Sequence, residues 1–242
     1  MDQELCAWVR SARRIAVLSG AGMSAESGVP TFRDALTGLW ARFDPQDLAT
    51  EAAFRRQPQL VWDWYAERRS ALARAEPNAG HDAIAAFQRR HPGRLTLITQ
   101  NVDGLHQRAG SPGVLALHGE LSQDRWLQTP LACCREDALA PGRPPSCPVC
   151  GNLRRPGVVW FGEALPEAAL SQAQAAAEAC ELMLVVGTSG EVYPAAGLAA
   201  LAARCGARVL VLNPEPTALD SVATRCLRES AAQALPWLLA EG

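Results

Sequence analysis

The stretch "SGAGMSAESGVPTFRD", residues 19–34, follows a run of apolar residues and places glycines at 20, 22 and 28. Gly20-Ala21-Gly22-Met23-Ser24-Ala25 fits G-x-G-x-x-G/A, a pattern that seats a dinucleotide. Gly20 permits a tight turn, Gly22 lets the backbone approach a pyrophosphate, and Ala25 lets the following helix pack closely. Amides at that helix start would face the phosphates. A plain tight connection is the other reading of the same residues. An ordinary dehydrogenase would next show an acidic residue for the ribose, but "TFRDALTGLWARFDPQ" reads as a loop holding an arginine and aromatics. His118, one of four histidines, lies just past an apolar run in "LALHGEL". An imidazole with an ordinary pKa near ~6.5 suits a general base at neutral pH, and a hydrogen-bonded structural histidine is the alternative. His81 and His91 read as surface or cap positions.

The elements that must position these residues follow from four apolar runs that end abruptly in glycine or polar residues: "RIAVLSGAG", "RLTLITQNVDG", "ELMLVVGTSG" and "ARVLVLNPEP". Ala-rich stretches of helical period separate them, so the chain reads as α/β, a parallel sheet with helices on both faces. Open sheets of this kind bind ligands beyond the carboxyl ends of their strands. Residues 20–24, 100–103, 187–189 and 213–215 are therefore expected to converge on one cleft. Residues 120–155 break the pattern, being rich in Pro, Cys and Arg, and read as an inserted small module.

With 23 basic and 25 acidic residues in 242, nothing in the bulk charge calls for nucleic acid or an anionic membrane as partner. No apolar run approaches the ~20 residues of a membrane span. Half of the eight cysteines, Cys133, Cys134, Cys147 and Cys150, crowd into the small module, which suggests metal binding in a reducing cytosol rather than a disulfide framework. Cys6, Cys180, Cys205 and Cys226 read as buried small hydrophobes.

The segment "PQLVWDWYAERRSALARA" opens on a proline and has helical period. At about 100° per residue, Val61, Tyr65, Arg68 and Leu72 share a narrow face, so Arg68 interrupts an apolar stripe. No acidic residue occupies positions 64, 65, 71 or 72, so an inward guanidinium needs a partner from elsewhere. Snorkelling to water, or a distant carboxylate, would also satisfy it.

Six motifs in order, "GAGMSAESGVPTFR", "TQNVDGLHQRAG", "LHGEL", "CPVCGNLRRPGVVWFGE", "VVGTSGEVYPAAGL" and "LNPEP", resemble the sirtuins, the NAD-dependent protein-lysine deacylases. The likeness spans about residues 15–215. It implies a Rossmann-like domain over residues 1–119 and 156–242, with a helical part near 34–80, and a zinc-ribbon-like module at 120–155. It also implies NAD consumed as a co-substrate, which accounts for the unusual loop after the glycine turn. Carried over, Gly20, Ala21, Gly22, Ala25, Thr31, Phe32 and Arg33 bind NAD, and Gln100, Asn101 and Asp103 shape the nicotinamide pocket. Gly187, Thr188, Ser189, Asn213 and Glu215 hold the adenosine half. Read singly, Phe32 could be core, and Asn101 and Asp103 could cap a helix.

By the same resemblance His118 is the base, with Asn101 also catalytic, and the products are free lysine, nicotinamide and O-acyl-ADP-ribose. An acyl-lysine peptide would lie as an added strand along "PGVVWFGEALP", touching Val159 and Phe161, which could equally be ordinary strand residues. Tyr65-x-x-Arg68 resembles the class III sirtuins, in which this pair binds negatively charged acyl groups, so desuccinylation and demalonylation are expected, with deacetylation as well. Cys147-Pro-Val-Cys150 fits the second pair of a four-thiolate Zn²⁺ site. The first pair is missing from its expected place, where Trp126 and Thr129 stand, and Cys133 and Cys134 come later. A shifted four-cysteine site, a partial site and no zinc all remain open. ADP-ribosyltransferase or lipoamidase activity on the same fold, or a non-catalytic NAD-binding module, are the competing functions.

Overall fold

The computed structural model describes residues 2–29 and 48–240. Helix α1 (Gln3–Ser11) starts where the Asp2 carboxylate accepts from the amides of Glu4 and Leu5, and leads into β1 (Ile15–Ser19). Two 3₁₀ turns follow, Ala21–Met23 and Ala25–Ser27. Next come the helices α2 (Glu51–Arg56), α3 (Pro58–Leu72) and α4 (Ala79–Arg90), then β2 (Leu95–Thr99), α5 (Leu105–Arg108) and β3 (Leu115–Ala116). Strands β4 (Gly119–Trp126) and β5 (Arg154–Val158) bracket the cysteine-bearing loop. The chain continues through α6 (Glu167–Ala179), β6 (Leu182–Val186), α7 (Gly197–Arg204), β7 (Arg208–Leu212), β8 (Arg225–Leu227) and α8 (Ala231–Leu238).

Six parallel strands form one sheet in the order β3-β2-β1-β6-β7-β8. Strands covered on both faces read as unbroken apolar runs, and every residue of β1 and β6 is buried. Alternation sends Ile15, Val17, Leu182 and Leu184 to the face under α1, α4 and α8. Ala16, Leu18, Met183 and Val185 go to the opposite face, under α6 and α7. The four strands expected from the apolar runs are β1, β2, β6 and β7. The edge strands β3 and β8, of two and three residues, are too short to carry a period.

Strand order reverses between β1 and β6, whose neighbours in sequence lie on opposite sides. Their carboxyl ends open the crevice where such sheets bind ligands. A third core joins helices α2 and α3 to the antiparallel pair β4–β5: Phe54 of α2, Val61, Trp64 and Tyr65 of α3, Leu121 of β4, Val158 of β5, and Trp160. Among the described residues no helix is long and apolar enough to cross a membrane.

Candidate active site

The strand tips do converge. Gly22 N–H donates to the Gly187 carbonyl (2.8 Å), Gln100 Nε2 to Thr188 Oγ1 (3.0 Å), and Asn101 Nδ2 to the Gly20 carbonyl (3.0 Å). The fourth tip lies beside them, with Gly187 N–H bonded to the Leu212 carbonyl and Asn213 Nδ2 to the Glu215 carbonyl. Gly20 has extended backbone, and its missing side chain serves a close approach: a Cβ there would lie 2.7 Å from Thr188 Cβ. A Cβ on Gly22 would lie 2.8 Å from Gly187 Cα. Gly187 itself has φ +61°, and a Cβ would meet Met23 N at 2.4 Å. The glycines thus let two loops touch.

Among the described residues the glycine turn leads into the two 3₁₀ turns rather than into a long helix. Ala25 is exposed, which corrects its reading as a close-packing position; the fully buried Met23 takes that place. Thr31, Phe32 and Arg33 lie outside the described residues.

Beneath the crevice runs a buried polar chain that single-residue reading missed. Asn78 N–H donates to His81 Nδ1, leaving Nε2 to carry the hydrogen toward Ser24 Oγ (3.5 Å). Ser24 Oγ also receives Asn101 Nδ2 (3.2 Å) and donates to Asp103 Oδ2 (2.7 Å). Asp103 Oδ1 accepts from Leu105 N–H, the first amide of α5, whose N-cap is Gly104, so this residue both satisfies a free amide of the helix start and joins the site. Burial pushes its carboxyl above the ordinary range, against the pull of those bonds and of Arg108. The cap reading of His81 holds, its side chain closing a capping box with Asn78, but the surface reading does not: its ring is fully buried and tilted against the His106 ring, centroids 4.8 Å apart. His106 Nε2 bonds Ser19 Oγ at the tip of β1 (2.9 Å).

Burial lowers His81 to about 4 and, helped by His81, lowers His106 to about 3. The unfolded chain takes up protons near ~6.5 that the fold refuses, so these rings stabilise the fold above that value and the benefit is lost as pH falls. Lowering pH from 7 to 4 is expected to remove on the order of 5 kcal/mol of unfolding free energy. Urea titrations across that range read it, and His106→Gln should flatten the slope; a wild-type stability unchanged at pH 4 contradicts it.

His118 follows β3 in chain order and half-faces the crevice. Its Nδ1 donates to the Gln100 carbonyl (2.9 Å), since a carbonyl can only accept, which leaves Nε2 bare to take a proton. Burial lowers its pKa, with the Gln100 bond opposing, so the ring is neutral at neutral pH. The His118 carbonyl accepts from Val159 N–H (2.8 Å), which seats the segment after β5 beside the base. Along that segment Val158 is buried, Val159 half-buried, Trp160 buried and Phe161 43% exposed. Core and open faces alternate. Val192 and Tyr193, in the loop after Ser189, are also exposed apolar residues.

On α3 the expected face exists: Val61 and Tyr65 are buried and Leu72 packs against the same cluster. Arg68 is turned inward, its guanidinium 5.1 Å from the Trp64 ring. Desolvation lowers its pKa, with Tyr65 opposing. The snorkelling alternative is not what the fold adopts. Burial pushes the Tyr65 hydroxyl up to about 12, so it stays protonated.

The sulfur atoms of Cys133, Cys134, Cys147 and Cys150 all lie within 4.8 Å of one another, and Cys134 and Cys150 are 3.5 Å apart. Tetrahedral zinc with Zn–S bonds of about 2.3 Å needs thiolates roughly 3.8 Å apart, so the shifted four-cysteine set fits. Trp126, in the place where a cysteine was expected, lies against the Arg154 guanidinium at 4.9 Å, and Arg154 pairs with Glu136. Of the remaining cysteines only Cys180 is buried; Cys205 and Cys226 are exposed because they end a helix and lie on the sheet edge. Purified protein is expected to carry about one zinc per chain. Cys147→Ser should lose most of it and melt earlier, read by elemental analysis and a thermal scan; a full zinc complement in that variant contradicts four-thiolate ligation.

The Sir2 family profile matches residues 20–194. An NAD-dependent protein deacylase of Ralstonia nicotianae is 58% identical over 236 residues, covering 97% of this chain and 94% of the relative. A solved Sir2 homologue in complex with NAD is 42% identical with a TM-score of 0.88, covering 99% of this chain and 93% of that one. A Sir2 structure bound to a propionylated peptide is 30% identical with a TM-score of 0.82, covering 98% and 96%. Paired loops at a sheet's switch point, a bare histidine nitrogen beside them and a four-thiol module thus meet a match along nearly the whole chain: it belongs to the Sir2 family.

Proposed function

We propose that this chain, an NAD-dependent protein deacylase, removes succinyl and malonyl groups from lysine, and acetyl as well. The observation that carries the acidic-acyl preference is the pair on α3, a protonated Tyr65 hydroxyl in the third core and the desolvated Arg68 guanidinium beside Trp64. A forked guanidinium matches a carboxylate and a hydroxyl adds one directed bond. In this reading Gly20, Ala21, Gly22 and Ala25, with Thr31, Phe32 and Arg33, hold the nicotinamide ribose and phosphates of NAD. Gln100, Asn101 and Asp103 line the nicotinamide end. Gly187, Thr188, Ser189, Asn213 and Glu215 hold the adenosine.

An acyl-lysine protein or peptide adds a strand against Val159 and Phe161, gaining affinity from main-chain bonds. Its amide carbonyl oxygen attacks the ribose carbon as the bond to nicotinamide breaks. His118 Nε2 then takes the proton of a ribose hydroxyl, which attacks the resulting imidate; a water completes release of free lysine and O-acyl-ADP-ribose. Cys133, Cys134, Cys147 and Cys150 would hold a structural Zn²⁺, and residues 120–155 form its module. Free thiols of this kind suit a reducing cytosol.

The test is nicotinamide release from NAD with and without an acylated peptide. Release that depends on the peptide supports deacylation. Peptide-independent release with ADP-ribose attached to protein overturns it in favour of ADP-ribosyl transfer.

A further inference from the structure

The Trp160 indole N–H donates to the Tyr65 hydroxyl oxygen at 3.0 Å, across 95 residues of sequence. The polarity of this bond is fixed, because an indole nitrogen can only donate. A phenol has one hydrogen of its own, and that of Tyr65 finds no acceptor among the described residues. Tyr65 is nonetheless buried, and a buried donor without a partner is costly enough to call for a ligand. We propose that Trp160 is a positioning residue for acyl selection: its N–H occupies one side of the Tyr65 oxygen and turns the hydroxyl hydrogen toward the end of the substrate acyl group. The inference rests on the reading that Tyr65 and Arg68 take the acyl carboxylate.

Trp160 is held firmly enough for this task. Its ring faces the Arg155 guanidinium at 3.3 Å and packs against Phe54 at 5.2 Å. Its backbone N–H donates to Glu163 Oε2 (2.8 Å), and Glu163 also pairs with the buried Arg155 and with Arg125. Arg155 Nη2 donates to the Val158 carbonyl (2.9 Å), which closes the frame on the same segment. The preceding residue, Val159, is bonded to His118. Two consecutive residues thus link the base to the hydroxyl that would read the acyl end. A donor oriented before the substrate arrives loses less freedom on binding than a rotating one.

Trp160→Phe removes the N–H, and benzothienylalanine at position 160 removes it while keeping the indole shape. Both are measured with succinyl- and acetyl-lysine peptides at saturating NAD, in the wild-type and Tyr65→Phe backgrounds, with a thermal scan as fold control. Expected is a succinyl KM raised about 10-fold with kcat within about twofold, acetyl constants within about twofold, and no further rise once the Tyr65 hydroxyl is gone. An equal loss with both peptides, no loss in either variant, or an undiminished effect in Tyr65→Phe overturns the positioning role. If Tyr65→Phe and Arg68→Met themselves leave the succinyl KM unchanged, the acyl-carboxylate reading falls and the positioning role with it. If those two are selective and the position-160 variants are not, the positioning role falls alone.

Discussion

Replacing His118 by alanine is expected to lower kcat for every acyl peptide by roughly 10²- to 10⁴-fold, the usual contribution of a general base. KM values for peptide and NAD should move far less, since the ring's bond to substrate is proposed to strengthen only as the ribose hydroxyl loses its proton. Nδ1 is committed to the Gln100 carbonyl, which leaves a single nitrogen for this task. The wild-type pH profile carries the same signature. Burial lowers the His118 pKa, so the base form dominates at neutral pH and kcat/KM should fall only when pH drops below the ordinary histidine value. An acid limb centred above ~6.5, or a His118→Ala enzyme within a few-fold of wild type, contradicts the assignment.

Arg68→Met should separate the acyl groups. A hydrogen bond to a charged group contributes about 1.5–3 kcal/mol, which corresponds to a loss of roughly 10- to 100-fold in kcat/KM for succinyl and malonyl peptides. Acetyl-lysine has no carboxylate to lose, so its kcat/KM should fall by no more than about threefold. Methionine keeps the apolar stem and fills much of the volume against Trp64, and a thermal scan controls for the fold. Steady-state kinetics over the three peptides read the outcome. Desuccinylation that is unchanged, or that falls no more than deacetylation, would contradict the role.

What could be read in the sequence was whatever local chemistry announces itself. Apolar runs ending in glycine or polar residues marked β1, β2, β6 and β7, and their tips meet as expected because a parallel sheet brings its carboxyl ends to one edge. Arg68 announced itself by standing on an apolar face, and α3 does turn it inward. Ser24 and His81 did not, although both lie in segments that drew attention: a serine in a glycine turn and a histidine three residues past Asn78 look like turn and cap residues until tertiary packing closes on them. The zinc ligands were half legible. Cys147 and Cys150 have ordinary spacing, whereas Cys133 and Cys134 are adjacent, and only the folded loop shows all four sulfurs within ligand range. The bond from Trp160 to Tyr65 had no sequence signal, because it joins two separate elements.

Mass spectrometry of the products formed from NAD and acetyl-, succinyl- or malonyl-lysine peptides, by the wild type and by His118→Ala, tests the proposed reaction most directly. The expected result is deacylated peptide, nicotinamide and the matching O-acyl-ADP-ribose, formed fastest from the acidic acyl groups and nearly abolished in His118→Ala. Free carboxylic acid with intact NAD, or ADP-ribose attached to the peptide, would contradict it.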